Sequence, residues 1–396
     1  MADTIPGTFD PEGPLPGAPE PWADSPMPAH RDGPPFVMTE MMAAEPALAE
    51  RLLTRLGDRS SSAASLAERL RRTADDGQPI RVVGCGTSEH GAMAAARILE
   101  HALGRVDPSA KVEPVQALEA ALAPQIGGLV IGISHEGGTP ATIEALAAAA
   151  ANGAATALVT VSDRSPGARA AELVVATEEA DQSWCHTVGY LSPMLAALAV
   201  AGHLTGRHPV PADVRAALAA GLGQPSTAEA IAAGLADATT ILTVASGADR
   251  PAARELALKI EEATWLPTTM RDLETLLHGH LPASGRATGL VLLMAEDDRL
   301  RQRARRAAQA LAAAEVLGLR TAAILSTQAA TALGSAPIAL GSLVAHRPAV
   351  DGPGAALIAT ATPLQLLTER LARARGTNPD PIRRDDPRYL EASERH

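Results

Sequence analysis

Two short loops rich in glycine, serine and threonine carry the clearest chemical signal in this sequence. The first is Gly84-Cys85-Gly86-Thr87-Ser88, and the second is Ile133-Ser134-His135-Glu136-Gly137-Gly138-Thr139. Each follows an apolar segment typical of a strand and precedes a segment typical of a helix. Backbone N–H groups, the positive end of a helix dipole and hydroxyl donors converge in such loops, which therefore suit anions and hydroxyl-rich ligands. A phosphosugar has both properties.

One loop of this kind is also compatible with a purely structural turn between a strand and a helix. Two of them within one α/β unit favour a ligand site. In an open parallel sheet, the loops at the carboxyl ends of neighbouring strands face a common crevice. The sequence therefore predicts that the two loops line one cleft.

The elements that position these loops alternate between strand and helix patterns, which indicates doubly wound parallel sheets. Two helices are expected between 37 and 70, with a break at 58–60. The first unit is predicted to have strands at 80–84, 112–115, 129–134, 157–161 and 173–176, with helices at 88–103, 140–151 and 188–204. After a helical bridge at 212–222, the second has strands at 240–245, 290–294, 321–325 and 338–340, with helices at 251–263, 300–317 and 355–374.

This pattern predicts two domains flanked by two extensions. Residues 1–35 are rich in proline and glycine and are expected to form a disordered or loosely attached arm. Residues 36–208 form the first domain with its entry helices, and residues 209–375 form the second. Residues 376–396 form a carboxy-terminal tail.

Composition excludes several classes of protein. The 396 residues carry a formal net charge of −11 and their arginines are scattered, which argues against a nucleic-acid partner. The two cysteines lack metal-ligand spacing and fit a reducing compartment. The start of the chain lacks the pattern of a signal peptide, and the apolar run at 191–204 is shorter than a membrane span. We expect a soluble, cytoplasmic protein.

Several ordered motifs resemble the tandem sugar isomerase (SIS) domain family, in particular the isomerase half of glucosamine-6-phosphate synthase and the amino-sugar phosphate deaminases and deglycases. The resemblance covers about residues 37–390. It rests on Met38-Thr39-Glu40-Met41 with Glu45-Pro46, on Cys85-Gly86-Thr87-Ser88, on the loop at 134–139, on Ala257-Leu258-Lys259-Ile260-Glu261-Glu262, on His278-Gly279, on Pro363-Leu364-Gln365-Leu366-Leu367 and on Pro387-Arg388.

The resemblance implies two flavodoxin-like SIS domains, each a parallel sheet with helices on both faces. It also implies a homodimer whose active site borrows a histidine from the neighbouring subunit, and neither a cofactor nor a metal. The synthase's glutaminase half has no counterpart in the sequence, so any ammonia is expected to come from solution or from a partner.

The same resemblance implies roles for individual residues. Glu262 would move a proton between C-1 and C-2 of the sugar through an enediol, as general base and then acid. His278 would open the sugar ring, and Lys259 would pair with Glu262 or bind a substrate oxygen. The expected substrate-binding residues are Gly86, Thr87, Ser88, Ser134, His135, Glu136, Thr139 and Thr187.

Two departures from the synthase bear on the substrate. His135 and Glu136 replace a glutamine and a serine of its phosphate loop, and a carboxylate repels a phosphate dianion. Either His135 balances Glu136, or the ligand is a neutral or amine-bearing sugar. At the position of a substrate-contacting lysine near the carboxyl end this chain has Ala392. Arg383, Arg384 or Arg388 could replace that lysine's charge but not its amine chemistry.

The sequence thus favours an isomerase or deaminase of a hexose or amino-hexose phosphate. One alternative is an SIS enzyme of specialised metabolism that acts on a modified or non-phosphorylated sugar. Another is a non-catalytic sugar-phosphate sensor. The expected partners are a small sugar ligand and a second copy of the chain, with no nucleic acid and no membrane.

Overall fold

The computed structural model describes residues 9–19, 21–23, 31 and 33–395. It contains two parallel five-stranded sheets with helices around them. The predicted α/β class, with two doubly wound domains, is confirmed.

The first domain opens with two helices and then alternates strands and helices. Its elements are α1 (Val37–Leu56), α2 (Ser62–Asp75), β1 (Ile80–Gly84), α3 (Thr87–Gly104), β2 (Val112–Gln116), α4 (Ala117–Leu122), β3 (Leu129–Ile133), α5 (Pro140–Ala151), β4 (Ala155–Thr160), β5 (Leu173–Ala176) and α6 (Val188–Thr205). The strand order is β2-β1-β3-β4-β5, and every pairing is parallel. The order reverses direction between β1 and β3, where a crevice opens in doubly wound sheets.

The second domain repeats this plan after two linking helices, α7 (Pro211–Leu222) and α8 (Pro225–Leu235). It continues through β6 (Thr240–Ala245), α9 (Arg250–Thr264), β7 (Thr268–Asp272), α10 (Leu273–Thr275), β8 (Thr288–Met294), α11 (Leu300–Leu317), β9 (Arg320–Leu325), α12 (Thr327–Leu333), β10 (Ser342–Val344) and α13 (Gly354–Arg375). Its strand order, β10-β9-β8-β6-β7, is that of the first sheet read from the other edge. The tail ends in α14 (Pro387–Ser393).

The sequence prediction fails mainly at sheet edges and short helices. The strand expected at 338–340 is wrong, because Leu340 lies in a turn and the strand begins only after Gly341, which has a φ of 90°. β7 was missed because it is an edge strand whose residues are mostly only half-buried, so it lacks a continuous apolar run. The sequence analysis also missed α4, α8 and α12.

Helix α6 is the centre of the first domain's core. Fifteen of its eighteen residues are buried, including Tyr190 and Leu191 with no exposed surface. By length and composition α6 could cross a membrane, but 83% of its 18-residue apolar stretch is buried inside the protein. Its apolar character is thus explained by packing against the surrounding elements.

Part of the amino-terminal arm follows a defined path along the first domain. Leu15 is 6% exposed, and its backbone N–H donates to Glu179 Oε2 at 2.8 Å. The carbonyl of Pro16 accepts from Ala180 N at 2.8 Å. We expected a disordered or loosely attached arm over residues 1–35, but a buried leucine and backbone hydrogen bonds hold residues 9–19 against the first domain. Residues 1–8, 20, 24–30 and 32 of this arm lie outside the described part.

The carboxy-terminal tail is fastened to the first domain by Asp380. Its carboxylate accepts from the backbone N–H groups of Val37 and Met38, both at 2.8 Å, at the start of α1. It also accepts from Ser183 Oγ at 2.8 Å. Asp380 is 5% exposed. This junction brings the following residues of the tail to the carboxyl edge of the first sheet.

Candidate active site

A cleft of about 310 Å³ lies at the carboxyl ends of β1 and β3. Both predicted loops line it, together with the segment before α6, helix α9 of the second domain, and the tail. The lining residues are Cys85, Thr87, Ser88, His135, Glu136, Gly138, Thr139, Trp184, His186, Glu262, Ile382 and Arg384. The two loops thus share one cleft, as expected from their positions.

Two glycines allow these loops to turn tightly. A Cβ on Gly84 would lie 2.4 Å from the backbone oxygen of Ser88, so only glycine lets the end of β1 approach the start of α3 this closely. Gly137 has a φ of 74°, and a Cβ there would lie 2.1 Å from Ser165 Oγ. The loop geometry therefore depends on the absence of a side chain at both positions.

The predicted hydroxyl residues divide between lining and supporting positions. Ser88 and Thr139 line the cleft. Ser134 is 2% exposed, and its Oγ lies 3.1 Å from Thr139 Oγ1. It is therefore a buried hydrogen-bond partner that orients the side chain of Thr139. Gly86, with a φ of 56°, is the N-cap of α3 and sets the direction of the first loop.

Glu262 is the carboxylate that the second domain presents to the cleft. Its Oε2 accepts from Lys259 Nζ at 2.5 Å. Lys259 has no exposed surface, and burial alone would lower its pKa, but the carboxylates of Glu262 and Glu255 raise the pKa above its ordinary value. Lys259 is therefore a buried cation that holds Glu262 in place, and it does not line the cleft.

Glu255 connects this pair to the first domain and was not identified from the sequence. It is completely buried and accepts from Thr87 Oγ1 at 3.3 Å, with His90 Nδ1 at 2.7 Å from its other oxygen. Lys259 Nζ lies 3.5 Å away, one helical turn along α9. Burial opposes ionisation of Glu255, but Lys259 and His90 lower its pKa overall. The spacing of residues 255, 259 and 262 on one helix face was the available signal.

His186 and Asp181 form a second acid–base pair at the cleft, also missed from the sequence. His186 lines the cleft with its side chain 26% exposed, and its Nδ1 lies 3.7 Å from Asp181 Oδ2. Burial acts against the charged imidazole, but the Asp181 carboxylate raises the pKa of His186 above its usual value. Asp181 is itself buried, and its pKa is nevertheless lowered by His186 and His135 and by backbone donors.

His135 does not balance the charge of Glu136. Burial, together with the nearby His186, lowers the pKa of His135 to about 3. Its Nε2 is the acceptor for the backbone N–H of Asp181 at 2.8 Å, so the neutral ring carries its proton on Nδ1. A neutral His135 brings no positive charge to Glu136, which favours the second of the two options that the sequence left open.

Arg384, from the tail, brings a permanent positive charge to the cleft. Its guanidinium lies 4.0 Å from the ring centroid of Trp184, a cation–π arrangement at the mouth of the cleft. Burial lowers the pKa of Arg384 while Glu262 and Glu136 act to raise it, and a guanidinium stays protonated in any case. From the sequence, Arg384 was only one of three arginines that could replace the charge of the synthase's substrate-contacting lysine.

His278 and Thr187 are also absent from the lining of the cleft. His278 has a side chain that is 69% exposed, and its Nε2 lies 2.8 Å from Glu274 Oε1, on the second domain just after α10. Thr187 is completely buried beneath the lining residues, and its backbone N–H donates to Asp181 Oδ2 at 2.7 Å. The homodimer, in which His278 would serve a neighbouring cleft, stays a prediction.

The equivalent crevice of the second domain has a different chemistry. Gly247 follows β6 as Gly86 follows β1, but a Cβ there would lie 1.6 Å from Arg303 Nη1 and 2.3 Å from Glu296 Oε2. The ion pair of Arg303 with Glu296 thus fills the space above this loop. Among the described residues, no group of three or more histidine, cysteine, aspartate or glutamate side chains could hold a metal ion.

The protein is therefore an α/β protein of two doubly wound domains, with a polar cleft lined by the first domain, by helix α9 of the second and by the tail. Residues 77–205 match the SIS domain family. No curated protein shows significant similarity to the chain. Residues 77–205 lie within the first domain, which is therefore similar to a SIS domain, and the second domain repeats the strand order of the first.

Solved structures share this fold across both domains. One is the C-terminal domain of glucosamine-fructose-6-phosphate aminotransferase from Francisella tularensis, with 20% identity, 89% of this chain and 99% of that chain covered, and a TM-score of 0.74. Tagatose-6-phosphate ketose/aldose isomerase from Escherichia coli has 19% identity, 89% and 97% coverage, and a TM-score of 0.69. Glucosamine-6-phosphate deaminase from Thermotoga maritima has 16% identity, 84% and 97% coverage, and a TM-score of 0.59.

Proposed function

We propose that this protein is an aldose–ketose isomerase or deaminase of a hexose or amino-hexose phosphate, acting through an enediol. The observation that carries the proposal is the placement of Glu262. A single carboxylate from the second domain, held by a buried lysine, faces two hydroxyl-rich loops of the first domain across one cleft. The solved structures with the same fold include a ketose/aldose isomerase and a deaminase, which supports the same class of reaction.

In this proposal the loops hold the substrate and Glu262 moves the proton. Ser88 and Thr139 donate hydroxyl hydrogen bonds to the phosphate at the positive end of the helices that follow each loop. Glu262 takes the proton from the carbon beside the carbonyl and returns it to the adjacent carbon. Lys259 donates to Glu262 Oε2 and holds the carboxylate in position for both transfers.

The reaction is tested with purified protein and a panel of hexose 6-phosphates and hexosamine 6-phosphates. Aldose–ketose interconversion is followed by NMR and ammonia release is measured in parallel. Aldose–ketose interconversion without ammonia release would identify the protein as an isomerase, and ammonia release would identify it as a deaminase. Binding of panel members without either product would contradict the proposed enzyme and favour a sensor.

Arg384 is expected to bind the anionic group of the substrate, because it is the cation that the tail brings to the cleft. Replacing it (Arg384→Ala) removes a charge-assisted hydrogen bond and is expected to weaken binding of a sugar phosphate about 10- to 100-fold. Isothermal titration calorimetry with the sugar phosphate and its phosphate-free sugar measures this effect.

The matched control for this arginine is Arg388→Ala. The side chain of Arg388 is 82% exposed and pairs with Asp386, away from the cleft. Arg388→Ala is expected to leave the affinities for the sugar phosphate and for the phosphate-free sugar unchanged. An equal loss for the phosphorylated and the phosphate-free sugar in Arg384→Ala would show that Arg384 does not recognise the phosphate.

Glu136 tests whether the natural ligand is phosphorylated at all. Its carboxylate lines the cleft and repels a phosphate dianion, so Glu136→Ser is expected to bind sugar phosphates about tenfold more tightly. The exposed Glu144→Ser, on α5, is the control. If Glu136→Ser instead lowers affinity for a phosphate-free or amine-bearing sugar and leaves sugar phosphates unaffected, a non-phosphorylated substrate is favoured.

A further inference from the structure

The histidine expected to open the sugar ring does not reach the cleft within one chain, whereas another histidine does. His278 is exposed on the second domain. His186 lines the same cleft as Glu262, beside the loops that would hold the sugar. This difference raises the question of which imidazole acts on the ring.

Buried hydrogen bonds fix the position of the Asp181 carboxylate beside His186. Asp181 Oδ2, which lies 3.7 Å from His186 Nδ1, also accepts the backbone N–H groups of Thr187 at 2.7 Å and Gly189 at 3.2 Å. Asp181 Oδ1 accepts from Ser183 N at 3.0 Å. The carboxylate therefore cannot rotate, and with Nδ1 directed towards it, Nε2 is the nitrogen left for a ligand.

The charged groups around His186 favour its protonated form. Asp181 and Glu136 act to raise its pKa, while burial and the cation of Lys259 act to lower it, with a net upward shift. His135 lies close by, with ring centroids 5.3 Å apart, but it is neutral at physiological pH because its pKa is about 3. An imidazole whose charged form is supported by a neighbouring carboxylate is suited to give and take a proton.

We propose that His186, oriented by Asp181, is the catalytic acid–base group that opens the sugar ring in this cleft, and that Glu262 then acts on the open chain. The inference rests on the proposed function. It assigns the first step of the reaction to a residue of the same chain, so the step does not need an imidazole from a neighbouring subunit.

The step is a proton shuttle that leaves His186 unchanged. As the bond between C-1 and the ring oxygen of an aldose breaks, its electron pair stays on the ring oxygen, which takes the proton from Nε2. The neutral Nε2 then accepts the proton of the anomeric hydroxyl as its oxygen forms the carbonyl double bond to C-1. The net change is one proton moved from the anomeric oxygen to the ring oxygen.

Ring opening is measured separately from isomerisation as exchange between the α and β anomers. Saturation-transfer NMR on glucose 6-phosphate, glucosamine 6-phosphate and fructose 6-phosphate gives the exchange rate above that of the sugar alone. The Glu262→Gln variant is expected to keep this exchange because the carboxylate acts only afterwards. His186→Asn is expected to lower it about 100-fold or more, within the range for loss of an acid–base group.

Two further variants separate chemistry from folding. His186→Ala is expected to regain anomer exchange when free imidazole is added, which a merely structural histidine would not show. The exposed His346→Asn is the matched control and is expected to behave as the unaltered protein. Thermal melting of each variant verifies that the fold is retained.

The inference is overturned if the protein does not accelerate anomer exchange of any of the three sugars. It is also overturned if folded His186→Asn exchanges at the normal rate, or if His278→Asn rather than His186→Asn abolishes exchange. Anomer exchange that depends on His186 without any aldose–ketose conversion or ammonia release would instead refute the proposed function and leave the role of His186 intact.

Discussion

Replacing Glu262 by glutamine is expected to abolish turnover while leaving ligand binding largely intact. Glutamine keeps the size of the side chain and an oxygen for Lys259, but it cannot accept the proton from carbon. Loss of a general base costs about 10²- to 10⁴-fold in rate. The measurement is kcat on the panel sugar that reacts fastest, with affinity determined by calorimetry on the same preparation.

The neighbouring glutamate supplies the matched control. Glu261 lies on the same helix, is exposed, and accepts the backbone N–H of Thr268 at 3.1 Å outside the cleft. Glu261→Gln is expected to retain nearly full kcat. Unchanged turnover in Glu262→Gln would remove Glu262 from the mechanism.

The second large effect is expected on stability, from loss of Lys259. This cation lies between two carboxylates, 2.5 Å from Glu262 and 3.5 Å from Glu255, with no exposed surface. Lys259→Met keeps the volume but leaves the buried Glu255 without its main counter-charge. Breaking a buried ion pair costs about 3–5 kcal/mol, which lowers the Tm by roughly 10 °C. Differential scanning calorimetry measures this change.

The chain contains only one other lysine, which makes the comparison direct. The side chain of Lys111 is 78% exposed and lies 3.5 Å from Glu100. Lys111→Met is expected to alter the free energy of unfolding by less than about 0.5 kcal/mol. A Tm for Lys259→Met equal to that of Lys111→Met would show that His90 and the surrounding donors suffice to stabilise Glu255.

The loops and the general architecture could be predicted because their signals are local. Gly84 and Gly137 are required by contacts within a few residues or by a positive φ, and strand–helix alternation is visible in the hydrophobic pattern. The pairing of Lys259 with Glu262 follows from a spacing of three on one helix. Such features do not depend on how distant segments pack.

The remaining cleft residues depend on contacts between distant parts of the chain. Arg384 reaches Trp184 only because Asp380 fastens the tail to the start of α1, more than three hundred residues earlier. His186 becomes an acid–base candidate only when Asp181 is buried beside it and rigidly bonded. In the sequence, nothing distinguishes Glu255 from other glutamates on helices. Its role becomes visible only in the fold, where Thr87 and His90 of the first domain contact its carboxylate.

Solvent deuterium exchange shows directly whether Glu262 moves a proton on and off a sugar carbon. The protein is incubated in deuterated water with hexose and hexosamine phosphates and the matching phosphate-free sugars, and deuterium at C-1 or C-2 is followed by NMR. We expect deuterium at one of these carbons with the unaltered protein and none with Glu262→Gln. Binding without exchange across the whole panel, or exchange that persists in Glu262→Gln, would contradict this role of Glu262.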